Sequence, residues 1–519
     1  MTARRPLFSR EEALDLVRRL YGMEGEAREL PSERDQNFHI RSAAGAEYVL
    51  KISNAAEHKE FLEFQNNVLV HLSGRNQALG IPRVLPQISG EFLGSVGHSS
   101  GQEHFVRLLS FLPGRFLAEV KPQRPELLRD LGRFLGELAK GLAEFGRRIP
   151  VRELKWDMRS GPATVRRLLP FVQNSDRRAL VEFFLGRYER DVPPLLPGLR
   201  TGLLYNDAND HNILVGHASP DLFGRWMKVT GLIDFGDMVS GWLAVEPAVA
   251  AAYIMMGQDD PLESACQVAS GFHEVLPLTE DDLACLYGFI CLRLCLSVVI
   301  SAEQQSKEKG NEYLRISEKP AWELLEQLRD VNPRLAHYSF RNACGFTSCP
   351  QTAEIVRWLK DNSAQIGPVV ESELRTSPQV VMDFSVGSPE LGSLSYSDDP
   401  EAVEILIASC LKAARKRVAV GRYDEARTAY SGKNFEVKVN DGTEMRSVHL
   451  GIDLFLAPGS AVLAPLDGRL HSFQDNAASQ DYGPTIILEH RLPAGPNFFT
   501  LYGHLSRASL RGLCEGARV

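Results

Sequence analysis

The most constraining stretch of this chain is Tyr205-Asn206-Asp207-Ala208-Asn209-Asp210-His211-Asn212-Ile213-Leu214-Val215, followed after a short insertion by Gly231-Leu232-Ile233-Asp234-Phe235-Gly236-Asp237. Asp207, Asn212 and Asp234 are individually common residues, and any one alone is more often a turn or capping residue than a catalyst. Their order carries the information. An Asp is followed by an Asn on the same loop, then by two apolar β-like runs, 213–215 and 229–233, and then by a second Asp before Phe-Gly. Phosphoryl transfer from a nucleotide needs such a set. One carboxylate orients the attacking hydroxyl and accepts its proton, while the Asn and the second carboxylate hold magnesium against the phosphates.

Composition narrows the class. At 519 residues the chain is too long for one ordinary core, and about two to four domains are expected. A net charge of -8 offers no broad attraction to phosphate backbones or anionic lipids. Small-molecule chemistry is therefore expected, with no nucleic acid and no membrane as partner. The basic Arg4 and Arg5 run straight into Ser9-Arg10-Glu11-Glu12, without the apolar core of a secretory signal, so a cytoplasmic location is expected. The longest apolar tracts, 243–256 and 283–300, are interrupted by Glu246, Pro247 and Arg293, as in buried helices rather than membrane spans. Eight cysteines without a framework spacing suit reduced thiols.

Upstream of the Asp207 motif, Asn37 to Arg41 and Glu47 to Ile52 flank a polar turn and predict a β-hairpin whose second strand carries Lys51. The helical pattern from Glu57 to Leu72 contains Glu63. A strand Lys followed by a helical Glu is the pair with which kinases hold nucleotide phosphates, so Lys51 is expected to meet Glu63. The run His104 to Leu112, closed by Pro113-Gly114, predicts a strand leading from a small lobe into a large one. Leu131, Phe134, Leu135, Leu138, Leu142 and Phe145 then form the apolar stripe of a helix.

Taken together, the motifs resemble the aminoglycoside phosphotransferase and choline kinase superfamily, a branch of the protein-kinase-like fold that phosphorylates small alcohols. More narrowly, Asn209 to Leu214, Asp234 to Met238, Tyr48 to Ser53, Val106 to Leu109, Leu112 to Arg115 and Pro277-Leu278-Thr279 are similar to stretches of hydroxylysine kinases. The resemblance implies γ-phosphate transfer, from GTP or ATP with Mg2+, to the hydroxyl of a small hydroxylated amine or amino acid. It assigns Asp207 as catalytic base, Asn212 and Asp234 as magnesium ligands, and Lys51 with Glu63 as nucleotide contacts. Where the family usually has His-Gly, this chain has Tyr205-Asn206, so the loop bond made by that His must come from the Tyr hydroxyl or be lost. An amino-acid substrate needs carboxylates for its ammonium groups and a cation for its carboxylate. Asp210, Asp237 and Glu246 are the candidate acids, and Arg107 or Arg115 the candidate cations.

From about Asn332 to Arg422 the texture turns to Pro, Ser and acidic turns around two helical patterns, and strands dominate after Phe435. Val448-His449-Leu450-Gly451-Ile452-Asp453-Leu454-Phe455, with Pro458-Gly459, Ala464-Pro465 and Asp467-Gly468, resembles the lysostaphin-type zinc endopeptidases. On an extended strand His449 and Asp453 point to one face, so both could ligate one zinc. Tyr502-Gly503-His504-Leu505 looks like that family's auxiliary active-site His. A third ligand from a downstream His-x-His strand is not in the sequence, so the site is expected to be incomplete and the domain truncated. His490 at a strand end is expected to be hydrogen-bonded rather than a substitute ligand.

The fold class expected is α+β: a two-lobed kinase-like domain over 1–335, a helical connector over 336–422, and an incomplete β-rich peptidase-like domain over 423–519. Similar three-part bacterial chains continue into a class III aminotransferase, which implies a pyridoxal-phosphate phospho-lyase acting downstream, as a further domain or separate protein. Self-association is left open. Competing readings are a kinase for ethanolamine, choline or an aminoglycoside, a zinc peptidase with a nucleotide-sensing pseudokinase, and a scaffold for a partner lyase.

Overall fold

The computed structural model describes residues 5–32, 34–97, 102–146, 148–150, 152–217, 227–307, 318–371, 374, 379–391, 400–430, 433–440, 442–478, 480–493 and 495–519. The chain forms two compact units, Met1–Ser348 and Cys349–Val519.

The first unit opens with helix α1 (Arg10–Tyr21). The Ser9 hydroxyl accepts from the Glu12 N–H at 3.1 Å and the Glu12 carboxylate accepts from the Ser9 N–H at 2.7 Å, a reciprocal cap that satisfies both orphan donors. Gly22 at φ 65° ends the helix in the left-handed conformation that suits glycine. Strands β1 (Gly25–Leu30), β2 (Gln36–Ser42) and β3 (Glu47–Ile52) follow, then helix α2 (Lys59–Arg75) and strands β4 (Val84–Leu85), β5 (Gly94–Gly97) and β6 (Glu103–Ser110). The sheet runs β1-β2-β3-β6-β4, with β5 also on β6. The expected hairpin is β2 and β3, in register Asn37↔Lys51 and Phe38↔Leu50. Alternation puts Leu50, Ile52, Val106 and Leu108 on the face packed with Leu16 and Val17 of α1. Each such buried side chain contributes about 1.5–3 kcal/mol. Lys51 and Arg107, paired across β3 and β6, therefore project from the other face.

The chain then crosses to a helical lobe. Strand β7 (Arg115–Phe116) precedes helices α3 (Pro125–Ala143), α4 (Gly161–Leu168) and α5 (Ser175–Asp191). Strands β8 (Thr201–Leu204), β9 (Ile213–His217), β10 (Met227–Leu232) and β11 (Val239–Trp242) come next. They form two small sheets, β10-β9-β7 and β11-β8. Helices α6 (Val245–Ile254), α7 (Pro261–Val275), α8 (Glu280–Lys307), α9 (Glu318–Arg329) and α10 (Pro333–Ala343) complete the lobe. By length and composition α8 could cross a membrane, but here its apolar stretch is buried against α4, α5, α6, α9 and α10. The packing of α10 on α7 and α8 carries this unit to Ser348, past the boundary expected at 335 from the extent of the resemblance.

In the second unit, helix α11 (Thr352–Asp361) precedes β12 (Val380–Met382), α12 (Pro400–Ala414), β13 (Ala419–Gly421), β14 (Glu425–Ala426), β15 (Glu436–Val439), β16 (Gly442–Met445), β17 (Val448–His449), β18 (Asp453–Phe455), β19 (Arg469–Asn476), β20 (Gly483–Arg491) and β21 (Asn497–Tyr502). β12, β13 and β18 share a sheet whose Met382 and Ala419 pack with Val403 and Ile407 of α12. Residues expected as a connector thus build the same core as the β-rich segment, with Phe455 of β18 packed against that cluster. β19, β20 and β21 form an antiparallel sheet. The expected continuous strand 448–455 is broken: β17 pairs β14 and β18 pairs β13, with Leu450 and Ile452 exposed between them.

Helices α3 and α7 approach backbone to backbone. A Cβ on Gly132 would lie 2.1 Å from the Val268 carbonyl oxygen, and one on Gly271 1.9 Å from that of Arg129. α3 in turn fixes β10, since the Asp130 carboxylate accepts from the Val229 N–H at 2.8 Å. Gly271→Ala must push the two helices apart, with an expected loss of about 1–3 kcal/mol. Urea unfolding of the two proteins measures the difference.

Candidate active site

Two loops converge in the large lobe, one after β8 and one after β10. Asn206 (φ 65°) and Asp234 (φ 60°) both take the left-handed conformation, which non-glycine residues rarely hold without support. The support for Asn206 is Glu246 in the first turn of α6. Its buried carboxylate accepts the Tyr205 N–H at 2.8 Å and the Asn206 N–H at 3.3 Å. Burial pushes the Glu246 carboxyl up to about 7, while the two backbone N–H groups pull it the other way. The Tyr205 hydroxyl donates to the Ile233 carbonyl, and its ring meets Phe235 edge-on at 5.1 Å. The Tyr that replaces His therefore does tie the two loops together. A third tie is the Ile233 N–H to the Asn212 carbonyl, 2.9 Å, which sets Asp234 beside Asn212.

The Asp207 side chain keeps 21% of its exposure. Its Oδ1 accepts from Asn209 Nδ2 at 3.0 Å and its Oδ2 from Asn212 Nδ2 at 2.7 Å, which turns the Asn212 amide oxygen away from it. Burial first, and then the nearby Asp237, push the Asp207 carboxyl up to about 8, against the opposing pull of Arg293 and Asn209. Asp234 is the opposite case. Lys51 Nζ, 3.9 Å from its Oδ1, is the main cause holding it below the usual carboxylate range, and the Gly236 N–H bonds the same oxygen at 3.0 Å. Asn212 and Asp234 could thus offer an amide oxygen and an ionised carboxylate to a hard cation, and magnesium is commonly held by one or two such groups plus phosphate.

Lys51 meets Asp234 rather than Glu63. Glu63 is an exposed residue of α2 and pairs with Lys59 one turn earlier at 3.5 Å. The acid facing the cleft from this region is Glu57, 3.9 Å from Arg152. Arg152 was not singled out by sequence reasoning. Its guanidinium lies 3.6 Å from the Phe61 ring centroid, donates to the Gly236 carbonyl and stands 3.5 Å from Asp237, joining the small lobe to the loop after β10. A lone loop Arg carries no sequence signal for this role.

Asp237 lies close enough to Asp207 to raise its proton affinity and stands 3.8 Å from Arg34 and 3.5 Å from Arg152; Asp210 is on the Asp207 loop, and burial is the first cause raising both Asp210 and Asp237 above their usual range. Glu246 is taken up by the backbone bonds described above and is not open to a ligand. Neither proposed cation for a substrate carboxylate is placed for it. Arg107 is buried and donates to Asn66 at 3.0 Å and Gln65 at 2.5 Å, while Arg115 donates to the Glu119 carbonyl at 2.9 Å. The cation beside Asp207 is Arg293 of α8, whose Nη2 is 3.4 Å from Asp207 Oδ1.

In the second unit His449 Nε2 and Asp453 Oδ1 come within 3.4 Å, despite the break in the strand. Asp453 Oδ2, however, accepts from Arg427 Nη1 at 2.7 Å, and Arg427 also bonds the buried Glu425 at 2.8 Å. His504 is exposed beyond β21, and its ring makes no hydrogen bond with His449 or Asp453 among the described residues. His490 is buried with both nitrogens engaged, to the Asp467 carbonyl at 3.0 Å and Thr500 Oγ1 at 2.8 Å. No group of three or more His, Cys, Asp or Glu side chains is placed to hold a metal among the described residues. A guanidinium in contact with one of two prospective ligands does not fit a zinc centre.

Glu246→Ala should leave two buried N–H groups unpaired and release Asn206, at a cost of about 2–5 kcal/mol. Chemical denaturation gives the size of the loss. Glu246→Gln, which keeps one acceptor oxygen, should lose less than the alanine variant.

Among solved structures, a microcompartment-associated aminopropanol kinase aligns with 64% of this chain and 98% of its own, at 18% identity and a TM-score of 0.48. Residues 26–278 match the phosphotransferase enzyme family, and residues 447–519 match peptidase family M23. Hydroxylysine kinase of Xenopus laevis is 32% identical over 351 residues, covering 63% of this chain and 91% of that protein. The Bos taurus hydroxylysine kinase is 32% identical over 347 residues, with the same shares covered. With relatives matched at that level over nearly their whole length, the chain belongs to the phosphotransferase enzyme family as a small-molecule kinase homologous to hydroxylysine kinases, and it carries a peptidase family M23 domain.

Proposed function

We propose that the first unit phosphorylates the hydroxyl of a small amino acid or amine bearing ammonium groups, with hydroxylysine the leading acceptor, GTP or ATP the donor and Mg2+ the ion. The observation that carries this is the meeting of Asp207 and Asp237 beside the Lys51–Asp234 pair on the two converging loops, with Asp210 three residues past Asp207. Desolvated carboxylates that bind protons more tightly than in water are drawn to ammonium groups for the same reason. Asp210 and Asp237 hold the acceptor by its ammonium groups and direct its hydroxyl to Asp207. Asp207, near neutrality in its proton affinity, takes the hydroxyl proton as the oxygen attacks the γ-phosphorus, and the bond from phosphorus to the β–γ bridging oxygen breaks to release the nucleoside diphosphate. Lys51 steadies the phosphates, and Asn212 and Asp234 hold the divalent ion, which supplies neutralisation of the phosphate charge. Acceptor kinships in the named relatives favour hydroxylysine over ethanolamine, choline or an aminoglycoside. Access to a nucleotide pool favours the cytoplasm. The phosphorylated product is suited to a phospho-lyase that eliminates phosphate and ammonia.

For the second unit we propose an accessory role without zinc, because the Arg427–Asp453 bond takes the site of one ligand.

Turnover should be measured with ATP and GTP in parallel against hydroxylysine, ethanolamine, choline, homoserine and an aminoglycoside. Hydroxylysine-dependent phosphorylation is expected; turnover of choline or an aminoglycoside alone would sink the substrate assignment, and nucleotide binding without turnover would favour a pseudokinase. Asp207→Asn should lower kcat by about 10²–10⁴-fold while nucleotide affinity holds. Metal analysis of the purified chain should find well under one zinc per molecule. Stoichiometric zinc together with chelator-sensitive cleavage of a peptidoglycan peptide would refute the accessory role.

A further inference from the structure

Arg293 is the single charged residue in the apolar stretch 283–300 of α8, and it is among the largest fully buried side chains. A guanidinium withdrawn from water costs several kcal/mol unless paired and hydrogen-bonded. Other buried arginines here are tied into the fold in the usual way. Arg341 donates to the Thr347 carbonyl at 2.9 Å and pairs with Glu280, and Arg107 is held by two amide side chains. Arg293 is different. Its Nη2 reaches Asp207 Oδ1 at 3.4 Å and the Tyr253 hydroxyl at 3.2 Å, whereas its Nε and Nη1 have no hydrogen-bond partner among the described residues. Its Cζ lies 4.2 Å from the Trp156 ring centroid and 5.5 Å from that of Tyr253.

The contacts of Asp207 divide by origin. Asn209 and Asn212 belong to the same loop as Asp207 and move with it. Arg293 is the side chain that reaches this carboxylate from a rigid element outside that loop. Over the Trp156 ring and bonded to the Tyr253 hydroxyl, its planar guanidinium has a fixed direction that a flexible ammonium could not hold.

We propose that Arg293 is a positioning residue for the phosphoryl transfer, anchoring the Asp207 carboxylate to α8 so that its free lone pair faces the acceptor hydroxyl. The inference rests on the reading of Asp207 as the base. No bond is made or broken at Arg293; the proton passes from the hydroxyl to Asp207. A displacement of Asp207 on the order of 1 Å costs about 10²-fold in rate.

The test uses the full chain with magnesium, nucleotide and hydroxylysine. Arg293→Ala and the volume-preserving Arg293→Met should each lower kcat by about 10²-fold with the KM values for nucleotide and acceptor nearly unchanged. Guanidinium ion at tens of millimolar should restore a saturable part of kcat to Arg293→Ala and leave Arg293→Met and the parent unaffected, a response a purely structural role would not give. Arg293→Lys should stay impaired, because a point charge lacks the planar fork. Three results would overturn the proposal: a folded Arg293→Met with full kcat, a loss confined to the KM of the acceptor, which would make Arg293 a substrate contact, or loss of folding in all three variants. If Asp207→Asn retains full activity, the reading of the base fails and this inference fails with it. If Asp207→Asn is inactive and Arg293→Met is not, the inference alone fails.

Discussion

The Glu246 carboxylate, bonded to the N–H groups of Tyr205 and Asn206, is the contact on which the site depends. Asn206 sits in a backbone region that an L-residue leaves readily, and two charge-assisted bonds from a buried acid hold it there. With that turn fixed, Asp207 emerges toward the cleft, and the Tyr205 hydroxyl reaches the Ile233 carbonyl to draw the second loop alongside. The close α3–α7 contact acts further back in the same chain of support, because α3 holds β10 and β10 delivers Asp234.

Charge in the first unit is sorted to two sides of the cleft. Lys51 lies by Asp234, and Arg152 bridges Glu57 and Asp237. On the Asp207 side burial is the first cause raising Asp207, Asp210 and Asp237, against the opposing pull of Arg293 on Asp207, Lys121 on Asp210, and Arg34 and Arg152 on Asp237.

The second unit keeps the M23 pattern in sequence while its ion pairs follow a different logic. Arg422, Glu425, Arg427, Asp453 and His449 form a connected polar cluster, with the buried Glu425 at its centre. The carboxylate that would face a metal instead neutralises a guanidinium. The proposed accessory role follows from that substitution of one positive charge for another.

Local order was legible because it is local. The β2–β3 hairpin, the crossing after β6, the α3 stripe and the Asp207, Asn212 and Asp234 loops all follow from residues a few positions apart, where periodicity and turn chemistry act directly. The start of α1 is equally local, set by the Ser9 to Glu12 cap. Partners distant along the chain were not legible. Lys51 with Asp234, Glu246 with Tyr205, Arg293 with Asp207 and Arg427 with Asp453 each join separate elements, and Glu63 turned to a neighbour on its own helix. The sequence by itself determined which chemistry is present and on which loops it sits. Tertiary packing decided which charges meet, because the energy of an ion pair depends on distance and burial, and neither is written in the spacing of residues along a chain.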